Sequence, residues 1–499
     1  MAMSIIPLFT VLGLSGAFLI CLCGRRGGFF ADIAATTVTL VLLCLSLAAV
    51  ALVHREGMCV YRTGGWPPPV GITLVLDGLS VFMLVIVNLI AFLVSLYSIE
   101  YMKRYTSTWK FYALFLLMLA GMNGVIITGD LFNFFVFLEI ASIASYALVA
   151  FGTEEEELEA GFKYMVMGSL ASSFILLGIV FLYGFTSTLN MADMSLEISG
   201  RGASPLLLFV GALFLMGFGL KAAVMPFHAW LPDAHPSAPA PISAMLSGVF
   251  IKVIGVYGIM RIFYTVIGVS QTFSFLLMIM GSISMVAGAF LAMGQTDIKR
   301  MLAYSSISQV GYIFLGLGIG TPLAILGALF HLLNHAIFKS LLFLNAGAVE
   351  YATGTRDLRK MGGLGRKLRI TGCTSLIGAF SISGFPPLSG FWSKLIIIVA
   401  AVLAGRTVFA LIAAAVGILT IAYYARLQRE AFGGETNEKW EHLREVPLLM
   451  RFSMVALACL CVAGGLLLLP GLSGPFLGSA RDALVRGAGY AAKVLGSVR

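Results

Sequence analysis

The chain has 499 residues, 59% of them hydrophobic and only 11% charged, with 32 Lys and Arg against 23 Asp and Glu. Soluble globular chains carry roughly 25% charged residues, so a soluble enzyme and a disordered chain are excluded. A nucleic-acid binder, which needs clustered Lys and Arg facing water, is excluded too. A mean hydropathy of +0.98 and a formal charge of +9 point to a polytopic membrane protein whose positive surplus sets its topology.

A crossing needs about 20 apolar residues for a hydrocarbon core roughly 30 Å thick. In chain order the sequence offers fourteen such runs, at about 3–23, 29–53, 74–97, 109–128, 131–151, 162–185, 205–226, 240–264, 271–293, 300–319, 321–348, 370–401, 406–427 and 451–470. Each must be helical, because lipid leaves no other partner for backbone groups. The first run, Ile5 to Cys23, lacks the basic start and cleavage site of a signal peptide and reads as a transmembrane helix. The seven cysteines form no CxxC pair, so they carry no iron–sulfur or zinc signature and read as buried, inert thiols.

Fourteen crossings put both termini on one side. Loops after odd-numbered spans hold nineteen Lys and Arg, from Arg25 and Arg26 through Lys299 to Arg451. Loops after even-numbered spans, Arg261 included, and the tail to Arg499 hold nine. The positive-inside rule places the odd loops in the cytoplasm and both termini outside the cell membrane.

Four lysines remain within the spans, Lys221, Lys252, Lys339 and Lys394, together with one carboxylate, Glu139 in LFNFFVFLEIASIASYAL. Insertion scales put each such charge at about 2.5–3.5 kcal/mol near a helix centre. An ion pair gluing helices accounts for Glu139 with one lysine and leaves three over. A proton path accounts for all five, since burial lowers a lysine's proton affinity and a nearby carboxylate raises it. Lys221–Glu139 would be the modulated pair and Lys252 a relay.

Two spans are broken beside these lysines. The seventh reads GLKAAVMPFHAWLPDAHPSAPAP, with Pro226 five residues after Lys221, and the twelfth reads SISGFPPLSGFWSKL, with Pro386 and Pro387 ahead of Lys394. Proline removes a donor and clashes with the preceding turn, and discontinuous helices mark midplane sites in transporters. The breaks sit five spans apart, an odd number, so spans 4–8 and 9–13 would form two inverted five-helix repeats. The domains are then 1–108, 109–264, 271–427, and 428–499 with the last helix and a short amphipathic tail that would lie at the interface.

The eleventh span, GALFHLLNHAIFKSLLFLNAG, sets His331, His335 and Lys339 on one face at four-residue spacing. A metal or haem pair, a hydrogen-bonded structural pair, and a proton relay from Lys252 to Lys394 are the alternatives. The missing carboxylate disfavours metal, and histidine titrates near neutrality. The tenth span adds Tyr304, Ser305, Ser306, Ser308 and Gln309, which can hold water. His228 and His235 flank Trp230–Asp233 and would shape a vestibule, with capping by Asp233 an equal alternative. The run Glu154–Glu157 with Glu159 reads as a solvated loop.

Together GDLFNFFVFLEI, KAAVMPFHAWLPDAH, HLLNHAIFKSLLFL and SGFPPLSGFWSK resemble the antiporter-like subunits of respiratory complex I. That family includes the large Mrp-type Na+/H+ antiporter subunits and membrane-bound hydrogenase subunits. The resemblance covers about residues 70–430 and is greatest to the D-type Mrp branch and its hydrogenase relatives. It implies an all-α fold of fourteen helices with inverted five-helix repeats, and motif positions at Glu139, Lys221, Lys252 and Lys394, with His331, His335 and Lys339 on a central axis. One complex I paralogue carries Glu in the Lys394 slot, so this chain looks like the Lys-bearing branches. No resident cofactor or metal is implied; the partners are other membrane subunits, protons and, left open, Na+. The expected function is a proton-translocating subunit of a multisubunit cation/proton antiporter. The alternatives are the same module in a redox-driven complex, where it would be part of an enzyme without a redox centre of its own, and a silent scaffold.

Overall fold

The computed structural model describes residues 2–24, 28–202, 204–435 and 438–496. The charges counted at Arg25, Arg26 and Arg499 lie outside the described residues. The described chain is almost wholly helical: α1 (Leu8–Cys23), α2 (Gly28–Glu56), α3 (Gly78–Tyr101), α4 (Thr108–Ile127), α5 (Leu131–Val149), α6 (Glu155–Thr186) and a short surface helix α7 (Met191–Arg201). The seventh predicted span becomes α8 (Pro205–Lys221) and α9 (Leu231–Ser237), followed by α10 (Ala240–Val266). Then come α11 (Gln271–Met293), α12 (Ile298–Ile319) and α13 (Pro322–Thr353). The twelfth predicted span becomes α14 (Arg369–Ser383) and α15 (Ser389–Leu403). The chain ends with α16 (Thr407–Phe432), α17 (Leu448–Leu468), α18 (Ser479–Val485) and α19 (Ala488–Gly496).

Among the described residues, 11 helices are long and apolar enough to cross a membrane, and α1, α8 and α15 are shorter apolar helices. Local chemistry sets their limits. Asp77, Asp130 and Asp297 accept backbone N–H bonds as N-caps of α3, α5 and α12. Gly320, Gly354 and Gly384 end α12, α13 and α14 in the left-handed conformation.

The core sits around α10, α12 and α13. α10 is buried on every side, and α13 is buried from Ala324 to Val349 save Leu326. The outer helices turn Phe29, Ile143, Phe162, Leu411 and Ile418 outward, as an apolar solvent requires. α10 departs from regular α geometry: Leu246–Phe250, Lys252–Tyr257 and Ile262–Val266 are π-helical turns, a rare form that concentrates at functional sites.

Several expectations change. The third predicted span opens as a strand: β1 (Cys59–Arg62) pairs antiparallel with β2 (Thr73–Leu76) in the register Cys59 with Leu76, and the helix starts only at Gly78. The Glu154–Glu157 run is the start of α6, with Glu154 and Glu157 closing a capping box, because carboxylates suit a helix N-terminus. Cys21, Cys44, Cys373 and Cys459 are exposed on the apolar outer surface rather than buried. The tail folds back onto the bundle: Leu477, Ala480, Leu484, Tyr490, Ala491 and Val494 are buried, so its apolar face packs on protein. Arg261 and Lys299, counted as loop charges, are both buried.

Candidate functional site

The site is built at the helix breaks. α8 ends at Lys221, and Ala223 takes a left-handed φ of 54°, a conformation a non-glycine residue rarely visits. The Met225–Pro226 bond is cis, and the Leu220 carbonyl accepts from the Ala223 backbone N–H at 3.1 Å and from the Trp230 indole at 2.9 Å. Lys221 Nζ donates to Ser142 Oγ at 2.8 Å and Tyr146 Oη at 3.2 Å, and stands 3.9 Å from Glu139 Oε1. Glu139, Ser142 and Tyr146 are spaced three and four residues apart on α5, so they present one stripe to the lysine. The Ser172 hydroxyl of α6 donates to Glu139. Lys221 is 2% exposed and Glu139 28%, so the carboxylate sits toward the outer face of the bundle.

Lys252 lies in the π-helical part of α10, fully buried, and donates to the Ser247 carbonyl. No carboxylate pairs with it among the described residues. On α13, Lys339 donates to the Leu302 carbonyl at 2.7 Å, to the Ser305 hydroxyl, and to Tyr424 Oη at 3.3 Å. His335 lies one turn away, its ring centroid 6.3 Å from that of His331. His331 Nδ1 meets Ser393 Oγ at 3.0 Å, and its ring lies 5.4 Å from Tyr312. Lys394 reaches back across the Pro386–Pro387 break to the Ile382 carbonyl at 2.6 Å, its Nζ 5.0 Å from the Tyr312 ring centroid. The turn before Lys252 packs on both neighbouring helices, with the Ser247 hydroxyl 2.7 Å from that of Ser306 on α12 and Gly248 against Ser340 on α13. The structure thus gathers Lys252, His331, His335, Lys339 and Lys394 in one buried region, and Glu139 with Lys221 in another.

The region is under-satisfied. Both His335 ring nitrogens, His331 Nε2, Asn334 Oδ1 and both polar atoms of the Gln309 amide are buried without a protein partner. Buried polar groups without partners cost about 1–3 kcal/mol each, and water is the partner that usually supplies the missing bonds. Among the described residues, no group of three or more His, Cys, Asp or Glu is placed to hold a metal ion.

Two buried ion pairs at the ends of the bundle escape sequence reading. At one end, Lys299 meets Glu350 at 2.8 Å, and Arg356 joins Glu350 at 3.8 Å and Asp297 at 3.3 Å. Glu350 and Arg356 line a polar cleft of about 910 Å³ with Arg104, Glu154, Glu157 and Asp297. Lys299 and Ser305 share α12 while Glu350 and Lys339 share α13, so this pair lies on the same two neighbouring helices as the Lys339 site. At another point, Arg261 binds Asp77 bidentately at 2.5 and 2.6 Å and donates to Tyr257 Oη at 2.8 Å. Burial pushes the Asp77 carboxyl up, but the Arg261 guanidinium and the Ser80 bonds outweigh it and hold Asp77 below the usual carboxylate range. Charges at span borders look like topology signals in sequence. The available sign is a carboxylate at a matching border, Asp77 among the first residues of the third span and Glu350 just after the eleventh.

His235 does not shape a vestibule. α9 turns it inward, fully buried and 4.8 Å from the Phe343 ring. Asp233 does not cap its helix; it bridges Lys163 at 3.4 Å and Arg300 at 3.2 Å.

A helical bundle with lysines and histidines buried at its centre, beside two interrupted helices, defines a polytopic membrane protein with a charged interior. The family model described as NADH:quinone oxidoreductase/Mrp antiporter, transmembrane, matches residues 128–420, and that for the N-terminus of NADH-ubiquinone oxidoreductase (complex I) chain 5 matches residues 68–112. The chain belongs to the NADH:quinone oxidoreductase/Mrp antiporter family. It is 38% identical to the D component of the Na(+)/H(+) antiporter of Alkalihalophilus pseudofirmus, over 79% of this chain and 80% of that one. It is 39% identical to the N component of the NADH-quinone oxidoreductase of Desulforudis audaxviator, over 78% and 79%. The Mrp complex of Dietzia sp. contains a chain that superposes with a TM-score of 0.90 at 27% identity, covering 99% of both chains. A chain of the archaeal membrane-bound sulfane sulfur reductase superposes with a TM-score of 0.90 at 32% identity, covering 98% of this chain and 99% of that one.

Proposed function

We propose that the chain is the proton-translocating membrane subunit of a multisubunit cation/proton antiporter. The observation that carries this reading is the burial of Lys252, Lys339 and Lys394 around His331 and His335 with no carboxylate paired to any of the three among the described residues. A lysine held in an apolar interior without a counter-charge is costly as glue and useful as a proton carrier. In this reading Lys221 loads and unloads as Glu139 approaches or withdraws. Lys252 and the α13 histidines pass the proton toward Lys394, with water at the unpartnered atoms completing the line. The polar cleft at Glu350 and Lys299 is its mouth on the cytoplasmic face, where the positive-inside rule places it.

The 11 long helices, with α1, α8 and the broken α14–α15 unit, make fourteen crossings in this reading. Residues 109–264 and 271–427 are the two inverted repeats, and both termini face outward. Similarity to the D component of the Na(+)/H(+) antiporter and to a chain of the Mrp complex supports antiport in a multisubunit assembly. Similarity of the same order to the N component of the quinone oxidoreductase and to the sulfane sulfur reductase supports a second reading, the same proton module driven by a redox partner.

Vesicles from cells expressing the native complex test the first reading: a proton gradient collapsed by added Na+ and not by electron donors. A gradient that appears only with an electron donor, with iron or nickel in the purified complex, selects the second. No proton movement under either condition rejects both.

A further inference from the structure

The feature that the buried axis leaves unexplained lies on the outer face of the bundle. α14 and α17 start side by side, tied by Glu445: its carboxylate accepts from the Ile370 backbone N–H at 2.8 Å and from the Thr371 hydroxyl at 2.7 Å. From there a groove of about 410 Å³ runs between the two helices, lined by Ile370, Cys373, Ile377, Val455, Cys459 and Val462. Its only hydroxyl, on Thr374, is committed to Asn345 and to the backbone of its own helix. The lining therefore offers apolar surface alone.

The mouth of the groove is basic. Arg369 lies one turn before Cys373 and Arg451 one turn before Val455, so each arginine stands on the groove face of its helix. Arg366, Lys367 and Arg444 sit at the same end. Against these five stand Glu441 and Glu445, and both Glu445 oxygens are already bonded. None of the five basic residues is in an ion pair among the described residues, and Arg451 Nε is buried without a partner. Both helices also present their positive N-terminal ends here.

An apolar slot at membrane depth below unpaired arginines at its edge matches a molecule with a hydrocarbon chain and an anionic head. Cys373, Ala458 and Cys459 are small enough for a partner helix to pack on, so it is the unpaired basic mouth above the apolar slot that selects a lipid. We propose that the groove holds an acyl chain of an anionic phospholipid whose phosphate is bound by Arg369 and Arg451.

The test uses the assembled complex in phosphatidylcholine nanodiscs carrying trace photoactivatable phosphatidylglycerol or, separately, photoactivatable phosphatidylcholine. The phosphatidylglycerol probe is expected to label 370–377 and 455–462 in excess of the phosphatidylcholine probe. That excess should fall about fivefold for each of Arg369→Gln and Arg451→Gln, the weight of one interfacial basic residue toward anionic lipid. Cys459→Trp, at an exposed position that fills the slot, should abolish labelling by both probes while the complex keeps its size on gel filtration. Equal labelling by the two probes, or arginine variants that leave the excess unchanged, overturns the proposal. Labelling of the separated chain but not of the assembled complex overturns it too, because a neighbouring protein of the complex then occupies the groove.

Discussion

Lys221 Nζ lies 2.8 Å from the Ser142 hydroxyl but 3.9 Å from Glu139 Oε1. The carboxylate is near enough to favour the charged lysine and too far to lock it in a bond, while Ser172 holds the carboxylate from the other side. A shift of Glu139 on α5 therefore changes the field at Lys221 without breaking a direct contact. Glu139→Gln and Lys221→Ala should each reduce proton flux in vesicles to background, with the complex still assembled on gel filtration. Normal flux in both variants would remove this pair from the mechanism.

Gln309 separates a proton path from structural polarity by the sign of one effect. Its amide is buried with neither polar atom bonded to protein. Replacing an unsatisfied buried polar group by an apolar one of similar size is neutral or stabilising. Gln309→Leu should leave the melting temperature unchanged or raise it, and should slow proton flux by disturbing water at this unpartnered amide. A lower melting temperature with unchanged flux would mean that Gln309 serves packing alone.

The Lys299–Glu350 pair predicts a double-mutant result. Glu350→Gln leaves the 2%-exposed Lys299 without its nearest carboxylate, and breaking a buried pair costs about 3–5 kcal/mol. Replacing both, as Lys299→Met with Glu350→Leu, should recover most of that stability, since apolar residues of similar volume can substitute for buried pairs. Flux should stay low in the double variant if the pair is the mouth of the path. Recovery of both stability and flux would assign the pair to structure.

Sequence reasoning reached what stands out against an apolar background. Glu139 and the four lysines were legible because each sits well inside an apolar run. The two breaks were legible because proline cannot continue a helix beside a charge. Arg261 and Lys299 were not, since a basic residue at a span border carries the same signature whether it faces water or a buried carboxylate. In sequence His235 reads as a vestibule residue because it follows Trp230–Asp233 at the end of a span; only the turn of α9 sends it inward. The π-helical turns of α10 leave no trace in composition, and the tail's docking depends on contacts with residues hundreds of positions earlier.

That docking yields the last prediction. Tyr490 is buried, and the Arg261 guanidinium lies 5.5 Å from its ring while binding Asp77. The tail also approaches closely at Gly78, where an added Cβ would collide with the Ser479 carbonyl oxygen. The ion pair and the tail thus share one packed cluster at the start of α3. Arg261→Met leaves Asp77 buried and unpaired, at a cost of about 3–5 kcal/mol, and removes the cation from Tyr490. Hydrogen exchange over 479–496 should then accelerate by two orders of magnitude or more, about 1.4 kcal/mol being one order. The pH dependence follows from the depressed Asp77 carboxyl. A group held below its unfolded value of about 3.9 contributes stability in full above that value and loses it as pH falls through the lower folded one. Tail protection in the unmodified protein should therefore hold steady from neutral pH down to about 5, above that window, and Asp77→Asn should lower it throughout. If Arg261→Met leaves exchange over 479–496 unchanged, the tail is held by its apolar residues, and the ion pair serves only α3 and α10.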